Sequence, residues 1–332
     1  MRERVECVFA FLDELIQTLP VRSGHRQLLR IHLEVGRERA EVWPEMSSIQ
    51  LPLLVHAAIR GNEEQAIPVA GACTLLYLGA DLFDSILDHE LPPPWHDHDA
   101  SEATLAATTL LGALPPLALA RLQEQGVPPS ELWSLVHLFA RSGLTMGAGQ
   151  YEDLLLPVLE DVSIEDCRAM AEHKSGQEYA LFATAGAALA TEESSRIEAY
   201  AAFGSCFGIA QQLINDVQDL WGSQGGRDLS NGKRTFPIVH ALSTLRGKGR
   251  ERLQKLLASA RDSTEHHDEV EALVAEAGSP RFTALIVWLF QQQARAHLFK
   301  ASPQEPAGRE LYKLLDQASL LRQASPSSSP LL

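Results

Sequence analysis

At 332 residues the chain is long enough for one large domain or two ordinary ones. Hydrophobic residues make up 45% and charged residues 21%, the composition of a globular rather than a disordered chain. With 28 Lys+Arg against 43 Asp+Glu the net charge is −15, which argues against the clustered basic surface that nucleic acid requires.

The N-terminal stretch MRERVECVFAFLDELIQTLP reads as an amphipathic helix with interspersed charges, without the separated basic and apolar regions of a signal peptide. No uninterrupted apolar run approaches the ~20 residues of a bilayer span, so a soluble protein without a stable membrane span is expected. Cys7, Cys73, Cys167 and Cys206 are scattered and form no CxxC pair, which suits a reducing cytoplasm and gives neither a zinc ribbon nor a dithiol motif. Beyond Pro68, small and apolar residues predict a buried helix from about Val69 to Asp88, ended by Leu91-Pro92-Pro93-Pro94-Trp95. HDHD, His96 to Asp99, reads as a surface segment beside that proline run rather than a transition-metal site.

A helix is expected over Ser101 to Gln125, bent at Pro115-Pro116, and Ser130 is expected to cap another around Leu132 to Tyr151. The small residues of GLTMGAG, 143–149, predict close helix packing, since no strand precedes them to make a nucleotide loop. Ser163 and Asp166 form a capping arrangement that opens a helix through Lys174. A long helix follows from about Ser194 to Leu220, then the glycine-rich loop WGSQGGRDLSNGKRTF, then a helix with Pro237 in its first turn. The Ser/Pro-rich end predicts a disordered tail, 323–332. With no sustained strand alternation and no repeat, residues 1–322 read as a single all-α domain.

Two acidic groups interrupt apolar helices. In DLFDSILDHE, Asp81, Asp84 and Asp88 project from one helical face, where like charges repel. In QQLINDVQDLWG, Gln211, Gln212, Asn215 and Asp219 share helical spacing, with Asp216 about a quarter-turn away. Each group ends an apolar helix and precedes a loop. Facing one another, they would make an all-oxygen site of the kind Mg²⁺ prefers, with water and phosphate oxygens completing its shell. Arg227, Lys233 and Arg234 in the glycine-rich loop are suited to an anionic phosphate, and Lys174 adds a basic residue at the entry of an apolar helix.

These residues carry a resemblance to the trans-isoprenyl diphosphate synthase (polyprenyl synthetase) family. Asp84-Ser85-Ile86-Leu87-Asp88 resembles its first DDxxD motif and Asn215-Asp216-Val217-Gln218-Asp219 its second. Gly149 to Leu154 is similar to its GQxxDL stretch, Lys174-Ser175-Gly176 to its K-T/S-G, and Gly232 to Pro237 to its GKxTxP segment. Phe203-Gly204 through Phe207-Gly208 and Gln212 resemble the approach to the second motif. The matches keep the family's order over about Leu51 to Leu242.

The resemblance implies an isoprenoid synthase fold, one large helical bundle around a central cavity, and suggests a homodimer. It implies Mg²⁺ held by Asp81, Asp84, Asp88, Asn215, Asp216 and Asp219, with Asp84, Asp88, Asp219 and Lys174 catalytic. Lys174, Arg227, Lys233, Arg234 and Gln212 would hold a substrate diphosphate. Stabilising the departing pyrophosphate with metal and basic side chains ionises an allylic diphosphate, and an apolar cavity shields the cation. Gly79 and Ala80, with Phe83, would border that cavity, and the two small residues permit a prenyl chain of C15 or longer.

The chain departs from the family pattern in a consistent way. Ser48, Ile49 and Leu51 stand where basic residues bind the second diphosphate, and the arginine pair after the first motif is missing. Ser85 and Asn215 each replace a carboxylate, while Asp81 adds one. Three readings follow: prenyl transfer to an acceptor other than isopentenyl diphosphate, cyclisation or deprotonation of the cation as in a terpene synthase, or a non-catalytic subunit of a prenyl diphosphate synthase.

Overall fold

A computed structural model describes residues 2–42, 47–159, 161–221, 227–260, 264–318 and 320. Among them every regular element is helical and no strand occurs, as the periodicity predicts. The chain forms two compact units: Met1–Arg141 with Leu181–Ala201 and Phe299–Leu314, and Ser142–Ala180 with Ala202–Leu298 and Leu315–Leu332. The expected tail falls outside the described residues.

The first unit opens with α1 (Arg2–Gln17), α2 (Ser23–Val42), α3 (Ser47–Arg60), α4 (Ile67–Leu87), α5 (Ala100–Thr108) and α6 (Leu114–Ala120). Helix α4 packs against α1, α3, α5 and α6, and Val69, Leu75, Leu78 and Leu82 are fully buried. A helix covered on nearly all sides reads as apolar all round. For that reason Glu64–Leu87 meets the length and hydropathy of a membrane span, as does Ala100–Gln125, against the expectation that no run approaches that length. In the first, 72% of the apolar window is covered by protein.

The bend expected at Pro115-Pro116 comes earlier, as a π-helical turn over Thr109–Ala113. Pro115 and Pro116 have no N–H to offer the carbonyls four residues back, and the Leu114 N–H instead reaches back five residues to Thr109 O. This widened turn lies against Gly79, where a Cβ would stand 2.9 Å from Leu111 N and 2.8 Å from Leu111 Cγ. Gly79 is therefore small because a backbone crosses it. That corrects its expected role as a cavity residue. Ala80 and Phe83 are half-buried.

Helix α4 stops where the prolines predict. The Glu90 N–H reaches Ser85 O at 2.9 Å and the His89 N–H reaches Ile86 O at 3.2 Å, the paired bonds of a Schellman end. His89 occupies the left-handed position, φ 58°, where the chain uses glycine after α3, at Gly61 (φ 82°). Beyond it Trp95 is buried completely. Asp99 caps α5 in a reciprocal box with Glu102, and His98 Nδ1 lies 3.0 Å from Glu102 Oε2. HDHD thus anchors a helix start.

The chain continues through α7 (Pro129–Leu155), α8 (Ile164–Ala171), α9 (Gln177–Ala190), α10 (Ser194–Trp221), α11 (Arg227–Ser230), α12 (Phe236–Thr244), α13 (Lys248–Ser259), α14 (His267–Glu276), α15 (Ser279–Ala301) and α16 (Ala307–Gln317). In the second unit Leu220, Leu229, Ile238, Leu253, Leu257, Val270 and Val274 form one buried cluster. It fixes the end of α10 and all of α11, on which Asp219 and Asp228 stand. Ser163 and Asp166 make the predicted capping box at the start of α8. Of the small residues in GLTMGAG, Gly143 and Gly147 have nothing within 4 Å, so the close packing predicted there belongs to Gly149.

Candidate active site

In the first unit Asp84 and Asp88 lie at the C-terminal end of α4, partly exposed, with no basic residue in the last turn. A helix C-terminus carries partial negative charge, which favours a cation near carboxylates placed there. Asp81, one turn earlier, is arranged differently. Its Oδ1 and Oδ2 accept from Arg39 Nη1 at 2.7 and 2.8 Å, and Oδ2 stands 3.3 Å from His32 Nε2. Burial raises the Asp81 pKa, but His32 and Arg39 outweigh it and hold the carboxyl below its ordinary range. Both Asp81 oxygens, expected at a metal, are engaged by Arg39, a partner that residue spacing did not indicate.

In the second unit a π-helical turn, Glu172–Gly176, carries Lys174. It forms where three glycines admit backbone. A Cβ on Gly149 would stand 2.5 Å from Lys174 N, and one on Gly208 or Gly204 would press into the carbonyl oxygen of Ser175 or Tyr179. The GQ and FGxxFG stretches therefore exist here to let α7 and α10 close on the turn. Lys174 Nζ reaches Asp153 Oδ2 at 2.9 Å.

Asp216 is 4% exposed, and both its oxygens accept hydrogen bonds: Oδ2 from the Phe236 N–H at 3.0 Å, Oδ1 from Gln212 Nε2 at 3.0 Å. The Gln212 Oε1 in turn accepts from Ser175 Oγ at 2.6 Å. Burial pushes the Asp216 carboxyl up to about 6 despite those bonds, with Asp153 and Asp219 adding repulsion. Gln212 and Asp216 thus tie α10 to the Lys174 turn and to the start of α12. Gln212 and Asp216, expected at diphosphate and at metal, are here engaged with Ser175, with each other and with the Phe236 N–H. Asn215 is exposed, and Asp219, half-buried, lies in the last turn of α10, which has no basic residue of its own.

Two further carboxylates belong to this group. Asp153 lies in the GQYEDL stretch, and Asp228 opens the loop segment DLSNGKR. Asp228 is 8% exposed, and burial raises its pKa to about 8 although Lys233 Nζ lies 3.9 Å away. Gly232, at φ 67°, turns the chain so that the Lys233 N–H donates to Asp228 O at 2.8 Å. Nothing in residue spacing pairs Asp153 or Asp228 with α10; only their acidity inside otherwise apolar or basic stretches marks them. Lys233 and Arg234 border a pocket of about 240 Å³ walled by Pro157, Leu229 and Leu257. The side chain of Arg227 lies outside the described part of the structure, as does that of Ser48.

The donors in both units are oxygens, chiefly carboxylates, the set that suits Mg²⁺ rather than a soft metal. Among the described residues no three His, Cys, Asp or Glu side chains converge into a metal cage. A partial carboxylate set of this kind is what Mg²⁺ commonly uses, with water and phosphate oxygens completing its shell.

Residues 91–277 match the polyprenyl synthetase family. That range begins three residues after Asp88, so it contains the second acidic motif and not the first. The chain is 28% identical over 233 residues to a geranylgeranyl diphosphate synthase of Mycobacterium tuberculosis, covering 67% of this chain and 65% of that one. It thus spans just under two thirds of that relative. It is also 28% identical over 297 residues to geranylgeranyl pyrophosphate synthase 4 of Arabidopsis thaliana, covering 83% and 75%. The fold matches a geranylgeranyl pyrophosphate synthetase from Pyrococcus horikoshii with a TM-score of 0.81 over 96% of both chains, at 22% identity. The fold is the all-α isoprenoid synthase fold, and the chain belongs to the polyprenyl synthetase family.

Proposed function

We propose that the protein ionises an allylic prenyl diphosphate in a Mg²⁺-dependent reaction and transfers the prenyl group to an acceptor other than isopentenyl diphosphate. The observation that carries the acceptor reading is the burial of Ile49 and Leu51 in α3. Both have no exposed surface, so the positions at which basic side chains would meet a second diphosphate belong to the apolar core.

In this reading Asp84, Asp88 and Asp219 are carboxylate ligands for Mg²⁺. The ion, when bound, draws charge from the diphosphate as the allylic carbon–oxygen bond breaks. Lys174, Lys233 and Arg234 take phosphate oxygens and stabilise the same leaving group. Asp153 keeps the Lys174 ammonium in position, and Gln212 with Asp216 fixes the turn that carries it. The relatives named for C20 products support a C15 or C20 prenyl substrate. A homodimer is proposed on the uncharged stretch Thr104–Ala120, where Leu105 and Leu117 are 48% and 45% exposed. Two chains of charge −15 meet there without like-charge repulsion, and sedimentation of the purified protein tests it.

The activity is tested by incubation with Mg²⁺ and farnesyl or geranylgeranyl diphosphate, with assays for pyrophosphate and for organic products. Pyrophosphate release that rises with an added acceptor, and not with isopentenyl diphosphate, is expected. A hydrocarbon product formed without acceptor makes the protein a terpene synthase instead. Efficient consumption of isopentenyl diphosphate overturns the argument from Ile49 and Leu51. No turnover, with co-purification of a partner synthase, would mark a non-catalytic subunit.

A further inference from the structure

Asp81 shares a face of α4 with Tyr77, Asp84 and Asp88, spaced four, three and four residues apart. Three formal charges on one face would repel, yet the structure neutralises one of them from a different helix. Arg39, in the last turn of α2, puts Nη1 on both Asp81 oxygens and also interacts with Tyr77. His32, one helical face along α2, is fully buried. Its Nδ1 accepts the Trp95 Nε1–H at 3.3 Å, and since an indole N–H only donates, the ring carries its hydrogen at Nε2, towards Asp81. The 3.3 Å approach to Asp81 is close rather than well angled. Helix α2, helix α4 and the loop that carries Trp95 therefore converge on Asp81 and hold it against Arg39.

We infer that Arg39 and Asp81 form a charge-setting pair for the first acidic motif. Arg39 cancels Asp81, so that Asp81 adds no net charge beside Asp84 and Asp88 at the end of α4. Asp81 is a positioning residue: it fixes the Arg39 guanidinium and does not touch the metal. The inference rests on the proposed reading of Asp84 and Asp88 as Mg²⁺ ligands.

Calorimetric titration of Mg²⁺ into the full chain with inorganic pyrophosphate present tests it without recourse to turnover. Asp81→Asn leaves the Arg39 charge uncancelled beside the motif, and the half-saturating Mg²⁺ concentration should rise about ten-fold. The double variant Arg39→Met, Asp81→Asn removes both charges and should return it to within about two-fold of the unmodified protein. A neutral pair in place of a shielded ion pair is commonly tolerated, so the double variant decides the matter if Asp81→Asn alone does not fold. Continued weak binding in the folded double variant would make Asp81 a metal ligand and overturn the inference. So would an unchanged titration in Asp81→Asn. The Asp84→Asn variant separates the two levels: if it binds Mg²⁺ as well as the unmodified protein, or if that protein binds none, the metal reading of α4 fails and takes the inference with it.

Discussion

In the first unit, Asp81 is surrounded by donors: Arg39 on both oxygens, His32 close by, and Trp95 behind His32. Its carboxyl is held below the ordinary range. In the second unit, Asp216 also has both oxygens occupied, by the Phe236 N–H and the Gln212 amide, yet its pKa is pushed up to about 6. The difference lies in formal charge. Two neutral hydrogen bonds do not offset full burial beside Asp153 and Asp219, whereas His32 and the Arg39 guanidinium together do. Similar acidic helices thus reach opposite electrostatic states through the neighbours that tertiary packing supplies. The first unit sets its extra carboxylate against a cation, while in the second burial and neighbouring carboxylates favour the protonated form.

The largest expected effect concerns how that second group is assembled. Gly208→Ala drives a Cβ into the Ser175 carbonyl, where only backbone can give way, so a loss of about 4 kcal/mol or outright failure to fold is expected in denaturant unfolding. The first-unit counterpart, Gly79→Ala, meets a leucine side chain as well as backbone and should cost less, about 2 kcal/mol. Equal costs would show that the Lys174 turn is no more tightly constrained than an ordinary helix crossing.

The two units also predict opposite pH dependence for the metal-free protein. Asp216 and Asp228 have folded-state values of about 6 and about 8 against the ordinary aspartate value of 3.8, so between pH 4 and pH 8 the folded state holds more protons than the unfolded one. Their contribution to stability is full below the unfolded value and falls as pH rises through the folded values. Asp81 has the opposite sign: its stabilisation is present above the unfolded value and is lost as pH falls through its lowered folded value. Melting temperature measured across this range should decline by several degrees from the second group, and Asp228→Asn should flatten the upper half of the decline. A curve unchanged by that substitution would remove Asp228 from the argument.

Asp153→Asn sharpens the comparison at a single ion pair. Lys174 and Asp153 are 22% and 15% exposed, so removing the Asp153 charge from this pair should cost about 2 kcal/mol and weaken pyrophosphate binding measured by calorimetry. Normal binding would show that Lys174 needs no orienting carboxylate. The smallest expected effect is a gain. His89 holds a left-handed conformation at the end of α4, and His89→Gly should stabilise the fold by about 1 kcal/mol. No gain would mean that the imidazole contributes compensating contacts at the end of the first motif.

The local features of this protein were legible in its sequence because their causes are local. Apolar periodicity gives α4 and α10, the proline run ends α4, and Ser163 with Asp166 caps α8, each through bonds spanning a few residues. The motifs, read together, also pointed to the family. What spacing could not give was the partner of each acidic side chain. Asp81 meets Arg39 from 42 positions away and Asp216 meets Phe236 from 20, and no helical period relates those positions. Gly79 was legible as small, but only the fold supplies the crossing backbone that explains it. The sequence by itself determined which helices form and that they carry carboxylates at their ends. Tertiary structure decided which of those carboxylates stay ionised and which are set against cations, because desolvation and Coulomb interactions depend on distance in space rather than along the chain.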